Sequence, residues 1–466
     1  MDTVLAGRLE PERDGAFSAW AADRRERLIN GARSRELDAL LIRCEAVTEA
    51  PLALLLPVDF EARSRHRVAG GVMILAGARW AFRPDSPWEV EEARSLGLPT
   101  VDPRRCGAEP TDLWRLLAGE DRRAPRLGMV GFEAVSEETP TTGDGDPAPR
   151  RVALKQDFVV DRLRAPSPME RAEVRRVCRA NDTSMRAVAR LLVEAVVSEG
   201  ELWHGGYRLT LGRLRQAAVD EAARSDCSFP EACLISAGAS AANPHDHGDD
   251  SRPVRAGDPL VVDLFPRGHL FSDMTRTFVP GIRSSRSGDD PDLERALLGV
   301  ADALEAAEAE IRDQLRMGSE AIDAHRVQKR VSEFLAADGW PVPSCDEAAD
   351  PIQEGFVHGL GHGVGYRLHQ APWFSSQQAG TDRGQIRVGE AFTLEPGLYR
   401  PGAWGVRLED VYRLEPCRSA EEVGRGADGR AGGPEVAGPL ELVRVTQAPR
   451  SCDPARFLYE FARSES

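Results

Sequence analysis

Asp263, Asp273, His362, Glu395 and Glu409 stand in the order Asp, Asp, His, Glu, Glu across the C-terminal half of a 466-residue chain, each inside a short distinctive segment. Four carboxylates and one imidazole can hold two divalent cations about 3.5 to 4 Å apart through bridging and terminal carboxylates, and cations so held turn a water into hydroxide near neutral pH. The chemistry such a set allows is metal-assisted hydrolysis.

PLVVDLFPRGHLFSDMTRTF opens with a buried-strand run, Leu260 to Val262, that delivers Asp263, turns at Pro266-Arg267-Gly268 and returns through Asp273. Acids beside a turn are as readily solvated as ligating; the later segments decide for ligation. HGLGHGVGYRLHQAP places His358, His362 and His369 within twelve positions, three of the nine histidines of the chain. Gly359, Gly361, Gly363 and Gly365 make a regular helix costly there, at roughly 1 kcal/mol each relative to Ala, so a close-packed loop or strand is expected. In FTLEPGLYRPGAWGVRLEDVYRL, Glu395 and Glu409 occupy apolar, strand-like contexts on either side of a Pro/Gly-rich turn. A charged Glu in such a strand must be paired or metal-bound; an ion pair with Arg407 is the structural alternative. Oxygen-rich ligation with one imidazole suits Mn first, with Co, Fe or Zn as alternatives. No H-E-x-x-H is present. SAGASAANPHDHGDD adds His245 and His247 on a loop ahead of the first aspartate strand.

The elements that must position these residues divide into two parts. From Arg24 to Leu37 a charged, helix-prone stretch leads into the strand-like DALLIR, followed by LALLLPV and VAGGVMILAGARWAF between Pro, Gly and Asp breaks. That pattern predicts an α/β domain over residues 1–164, closing with the Thr139 to Arg150 breaker stretch and a strand to Leu163. Over 165–466, long helices are expected from Pro168 to about Val197, from Asp292 to about Leu315, and from Ser319 to about Asp338, where Gly339 stops the last. Gly424 to Gly438 reads as a solvated loop.

The net charge of −15 argues against broad binding to nucleic acid or to anionic membrane surfaces. No apolar run approaches the ~20 residues that span a bilayer, the longest short run being Leu52 to Val58, and the N-terminus carries acids early with no apolar core. A soluble cytoplasmic protein is expected. The eight cysteines show no C-x-x-C pair and are expected as reduced, mostly buried thiols.

Taken together, these segments resemble the M24 metallopeptidase superfamily (creatinase, aminopeptidase P and prolidase), and most closely its Xaa-Pro aminopeptidase/prolidase branch. RLRAPSPMERAEVRRVCRAND resembles the stretch that opens the family's catalytic domain. The resemblance implies an α+β chain, a C-terminal pita-bread catalytic domain preceded by a smaller creatinase-type α/β domain. It also implies a metal-dependent exopeptidase that hydrolyses Xaa-Pro bonds through a dinuclear metal-bridged hydroxide. Asp263 would be a terminal ligand of one metal, Asp273 a bridge, His362 and Glu395 ligands of the other metal, and Glu409 a second bridge. Glu395 would also shuttle the proton, His245 would contact substrate, His358 would shape the pocket, His369 would stabilise the oxyanion, and Arg407 would stand near the bridging glutamate. A homodimer or homotetramer is expected. Asp263 and Asp273 are ten apart, one fewer than is usual in the family, so a register slip would aim one of them away from the metals. Other readings of the same fold are a hydrolase acting on a small non-peptide C–N substrate and an inactive binding protein.

Overall fold

Pro168 opens the helix Pro168–Glu194, where its missing N–H costs nothing and Glu170 complements the helix N-terminus. The structure is a computed structural model, which describes residues 15–44, 70–75, 80–95, 98–104, 106, 113–114, 116–117, 125–130, 150–154, 157–162, 164, 166–281, 291–343, 354–417 and 439–464. The expected run at 52–58, the tract at 424–438 and most of the 139–150 stretch lie outside them.

The chain falls into two compact units, Met1–Ser167 and Pro168–Ser466. In the first, a five-stranded mixed sheet runs in the order Trp80–Pro84, Gly70–Leu75, Ala39–Cys44, Arg126–Val130, Arg150–Leu154. Ala39–Cys44 pairs antiparallel with Gly70–Leu75 and parallel with Arg126–Val130. The strand expected to reach Leu163 ends at Leu154 and gives way to the short helix Asp157–Arg162, in which Phe158, Val159 and Val160 are buried.

Among the sheets of the second unit two carry the clustered residues, each packed with its own helices. Strands Met274–Phe278, Leu260–Leu264 and Leu234–Ala237 form an antiparallel sheet that shares a core with helices Pro168–Glu194, Leu211–Ala223 and Pro454–Ser464. A five-stranded antiparallel sheet, in the order Gln370–Trp373, His362–Gly363, Ala391–Leu394, Asp410–Pro416, Leu440–Arg444, packs with helices Pro291–Arg316 and Ala324–Ala337. A third apolar cluster joins them, with Val261 and Phe265 from one side and Val364, Ala391 and Val411 from the other. The expected helix from Ser319 begins only at Ala324. Ile322 and Asp323 are drawn into a bridge with Ile386 and Gln385, and the Asp323 carboxylate then caps the helix by accepting from the amides of His325 and Arg326. Leu211–Ala223 and Pro454–Ser464 are helices that the sequence pattern did not reveal.

Cys106, Cys178, Cys227 and Cys233 are buried free thiols, and Cys417 and Cys452 are partly exposed ones. Among the described residues no helix is long and apolar enough to cross a membrane.

Arg276 ties the two sheets together. Fully buried, it reaches Asp410 Oδ1 at 2.7 Å, the Glu409 carbonyl at 2.6 Å and the carbonyls of Ala448 and Pro449. Removing one partner of a buried, hydrogen-bonded ion pair strands the other. Arg276→Met is expected to lower the unfolding free energy by about 3 kcal/mol or more in urea denaturation.

Candidate metal centre

Strand register decides where the two aspartates point. Asp263 pairs with Thr275 and Leu264 with Met274, so Asp273, two residues before Thr275, lies on the same sheet face as Asp263. The short spacing is absorbed in the connection, where Arg267 bridges to Phe271, and the register slip does not occur. Glu395 follows the strand Ala391–Leu394 directly and Glu409 precedes Asp410–Pro416; because Leu394 pairs with Asp410, both glutamates emerge at one end of the second sheet. The Glu409 amide donates to the Thr275 carbonyl at 3.1 Å, which brings that end against the first sheet.

His362 arrives on a short, irregular strand. Gly361, just before it, lies so tightly on the Thr393 carbonyl that a Cβ could not fit. The same threonine's hydroxyl accepts from the His362 amide at 3.1 Å. The glycine-rich segment is thus a loop and strand rather than a helix, with close backbone approach as its reason.

Three groups of side-chain atoms converge within 4.8 Å of one another: Asp263, Asp273 and Glu409; His362, Glu395 and Glu409; and Asp273, His362 and His369. Glu409, Asp273 and His362 are each shared between two groups. Burial and the neighbouring carboxylates Glu409, Asp263 and Glu395 push the Asp273 carboxyl well above the ordinary range. Burial, with Glu395 and Asp263, does the same to Glu409. Glu395 goes the other way: burial opposes its ionisation, but the hydrogen bond and charge of His362 outweigh it and hold the carboxyl low.

These donors fit a pair of divalent cations. Asp263 Oδ1, Asp273 Oδ1 and Glu409 Oε1 are buried with no hydrogen-bond partner. The His362 ring has Nδ1 3.2 Å from the Gly363 carbonyl, which can only accept, so the proton belongs on Nδ1. Its Nε2 faces Glu395 Oε1 at 3.2 Å and Asp273 Oδ2 at 3.7 Å: with a proton it donates to Glu395 and the ring is charged, and without one it turns a lone pair to the place a cation would take. Acceptors set against one another in this way call for a cation between them.

The other oxygens are held by the protein. Arg407 donates to Asp263 Oδ2 at 2.6 Å, to Thr275 Oγ1 at 3.0 Å and to the Tyr399 hydroxyl oxygen at 2.9 Å. Thr275 in turn donates to Glu409 Oε2 at 2.7 Å. The ion pair considered between Arg407 and a neighbouring glutamate is therefore made with Asp263 instead. Burial opposes the Arg407 charge, yet Tyr399 and the surrounding carboxylates raise its pKa further. Tyr399 donates to His358 Nε2 at 3.0 Å, and His358 Nδ1 donates to the Gly359 carbonyl at 2.8 Å. Tyr399, Thr275 and Thr393 escaped the sequence reading. The clue to Tyr399 was Gly397 two residues earlier on the same strand face, where a Cβ would strike both the Tyr399 hydroxyl and His358 Nε2.

A cavity of about 480 Å³ opens over the cluster, walled by Phe265, Leu368, Trp373 and Phe374 among others. His245, exposed on its loop, and His369 both face it. The His369 ring centroid is 4.4 Å from that of His362. Loss of solvation by the enclosing protein, then the proximity of His362, bring its pKa down to about 4.

With this geometry in view, comparison with known proteins gives the class. The model of metallopeptidase family M24 matches residues 172–416, over half of the chain, and the chain belongs to that family. More particularly, it is 33% identical over 181 residues to the probable dipeptidase PepE of Mycobacterium tuberculosis, covering 38% of this chain and 40% of that one. It is 30% identical over 179 residues to the Xaa-Pro dipeptidase of Pyrococcus furiosus, covering 38% and 43%. The matched stretch thus spans about two fifths of the length of these curated relatives. The crystal structure of the prolidase from Pyrococcus horikoshii superposes with a TM-score of 0.62 over 92% of this chain and 99% of that one, at 19% identity. That likeness establishes the pita-bread fold behind its smaller N-terminal unit.

Two outcomes follow. His369 binds fewer protons folded than unfolded between its depressed pKa of about 4 and the ordinary value of 6.5, so its contribution to stability is complete above pH 6.5 and is lost as pH falls through that window. In an NMR titration its imidazole should stay neutral down to about pH 5. Tyr399→Phe takes one acceptor from Arg407 and the donor from His358 Nε2, and should cost about 1 to 3 kcal/mol in thermal or urea unfolding.

Proposed function

We propose that the protein is a metal-dependent exopeptidase that hydrolyses Xaa-Pro bonds, with Asp263, Asp273, His362, Glu395 and Glu409 holding two divalent cations. The observation that carries this reading is the set of three buried, unpartnered carboxylate oxygens beside the lone-pair edge of His362. The oxygen-rich set favours manganese. Bound there, the cations supply Lewis acidity and bring the pKa of a water near neutrality.

The residues of the chain do the rest. Glu395, low in pKa and ionised at neutral pH, takes the proton of the attacking water and passes it to the departing amine. His369, neutral at pH 7, can donate a hydrogen bond to the carbonyl oxygen as charge builds there, without adding a charge of its own. Arg407 fixes Asp263, and through Thr275 fixes Glu409. His245 on the rim contacts the substrate, and His358, braced by Tyr399, shapes the wall. The apolar surfaces of Phe265, Leu368, Trp373 and Phe374 suit a compact ring such as proline, and the cavity volume suits a peptide of two or three residues. The proline preference comes from the relatives and the branch they belong to. An assembly of two or four copies is part of the same proposal.

The test is hydrolysis of Ala-Pro and Ala-Pro-Ala by the purified protein with added Mn2+. Glu395→Ala is expected to reduce kcat by at least about a hundredfold. Whichever peptide is cut separates a dipeptidase from an enzyme that removes the first residue of longer chains. Bound metal with neither peptide cleaved would move the assignment to a small non-peptide C–N substrate.

A further inference from the structure

Glu231 lines the same cavity as the five-residue cluster but belongs to none of its ligand groups. It lies three residues ahead of the strand Leu234–Ala237, whose Leu234 pairs with Asp263, and so borders the cavity on the side of the aspartate sheet. The residue is exposed, and among the described residues no hydrogen bond or ion pair engages its carboxylate.

The charges around it are otherwise committed. Arg215, which holds this wall by donating to the Cys233 carbonyl at 3.0 Å, also binds the His247 carbonyl and pairs with Asp250. Arg407 is held by Asp263, Thr275 and Tyr399. The remaining carboxylates of the cavity, Asp263, Asp273, Glu395 and Glu409, crowd together at the cluster. An entering molecule therefore meets one unpaired carboxylate, at the wall and away from the reacting centre, and no unpaired guanidinium or ammonium among the described lining residues.

We infer that Glu231 is a specificity-determining residue that selects substrates carrying an organic cation, an ammonium or guanidinium group, away from the scissile bond. The inference rests on the hydrolase reading of the same cavity and adds the charge of its substrate. An ion pair at an exposed carboxylate is modest, so the selection is about three- to fivefold and acts on KM rather than kcat. It weakens as salt is added.

The experiment uses the full chain loaded with Mn2+, as wild type and Glu231→Gln, with Arg-Pro, citrulline-Pro and their N-acetyl forms. Both kcat and KM are read, with Kd by calorimetry. The wild type is expected to show a KM for Arg-Pro about three- to fivefold below that for citrulline-Pro, and the ratio should fall to about one in Glu231→Gln. Each ratio compares two peptides on one protein, so a partly folded variant cannot mimic it. A KM raised equally for both free peptides but not for the acetylated ones would set Glu231 against the N-terminal ammonium beside the scissile bond and overturn the inference as stated. Identical KM values in wild type and variant for every peptide overturn it. Should the wild type cleave none of them, the hydrolase reading fails by itself. Calorimetry still decides this one: a cation-dependent Kd lost in Glu231→Gln sustains it, and equal Kd values overturn it.

Discussion

Everything in the second unit answers to the repulsion among four carboxylates gathered at one place. Two unit charges 4 Å apart interact by about 4 kcal/mol at an effective dielectric of 20, and here three overlapping groups have their atoms within 4.8 Å. The protein divides each of two carboxylates between scaffold and centre. Asp263 gives Oδ2 to Arg407 and keeps Oδ1 unpartnered, while Glu409 gives Oε2 to Thr275 and keeps Oε1 unpartnered. One oxygen fixes the geometry and the other is left for a cation. Without cations the remaining outlet is protonation, the direction in which Asp273 and Glu409 are pushed.

Such a division works only if the donors cannot drift apart, and the fold supplies them from strand ends rather than free loops. The aspartates come from one sheet and the glutamates and His362 from the other, so the centre is as rigid as the junction between the sheets. Arg276 secures that junction from behind, bonding the backbone of Glu409 and the carboxylate of Asp410 in the same step. Asp410 is held further by Arg450 and Thr446. The residue beside a cavity-facing glutamate is therefore an anchor: alternation along the strand sends Glu409 toward the cavity and Asp410 into the buried network.

The gathering of the five residues was legible because their pattern was improbable. Acids inside apolar strands and three histidines among closely spaced glycines have few purely structural explanations. The helices with strong end signals, such as Pro168–Glu194 and Pro291–Arg316, were equally plain. What stayed hidden was whatever depends on partners distant in sequence. The hydroxyl of Tyr399 has meaning only once His358 and Arg407 stand on either side of it, 41 and 8 residues away. The partner of Arg407 was hidden for the same reason: two glutamates stood nearby in the chain, but the sheet register delivered Asp263, 144 residues distant. The start at Ala324 instead of Ser319 reflects a strand bridge that local propensity does not encode.

The same charge accounting explains why a single wall residue can matter. Asp263, Asp273, Glu395 and Glu409, ionised around cations, carry four negative charges, and Arg407 offsets one. Two divalent cations would add four positive charges, leaving one, and an anionic nucleophile would cancel it. His358 and His369 add no charge, since loss of solvation lowers the pKa of both and keeps them neutral. A loaded centre of this composition is close to electrically balanced, so it neither attracts nor repels a charged substrate strongly at a distance. Selection by charge then passes to the groups at the wall, where the carboxylate of Glu231 has no counterpart among the described residues to answer it.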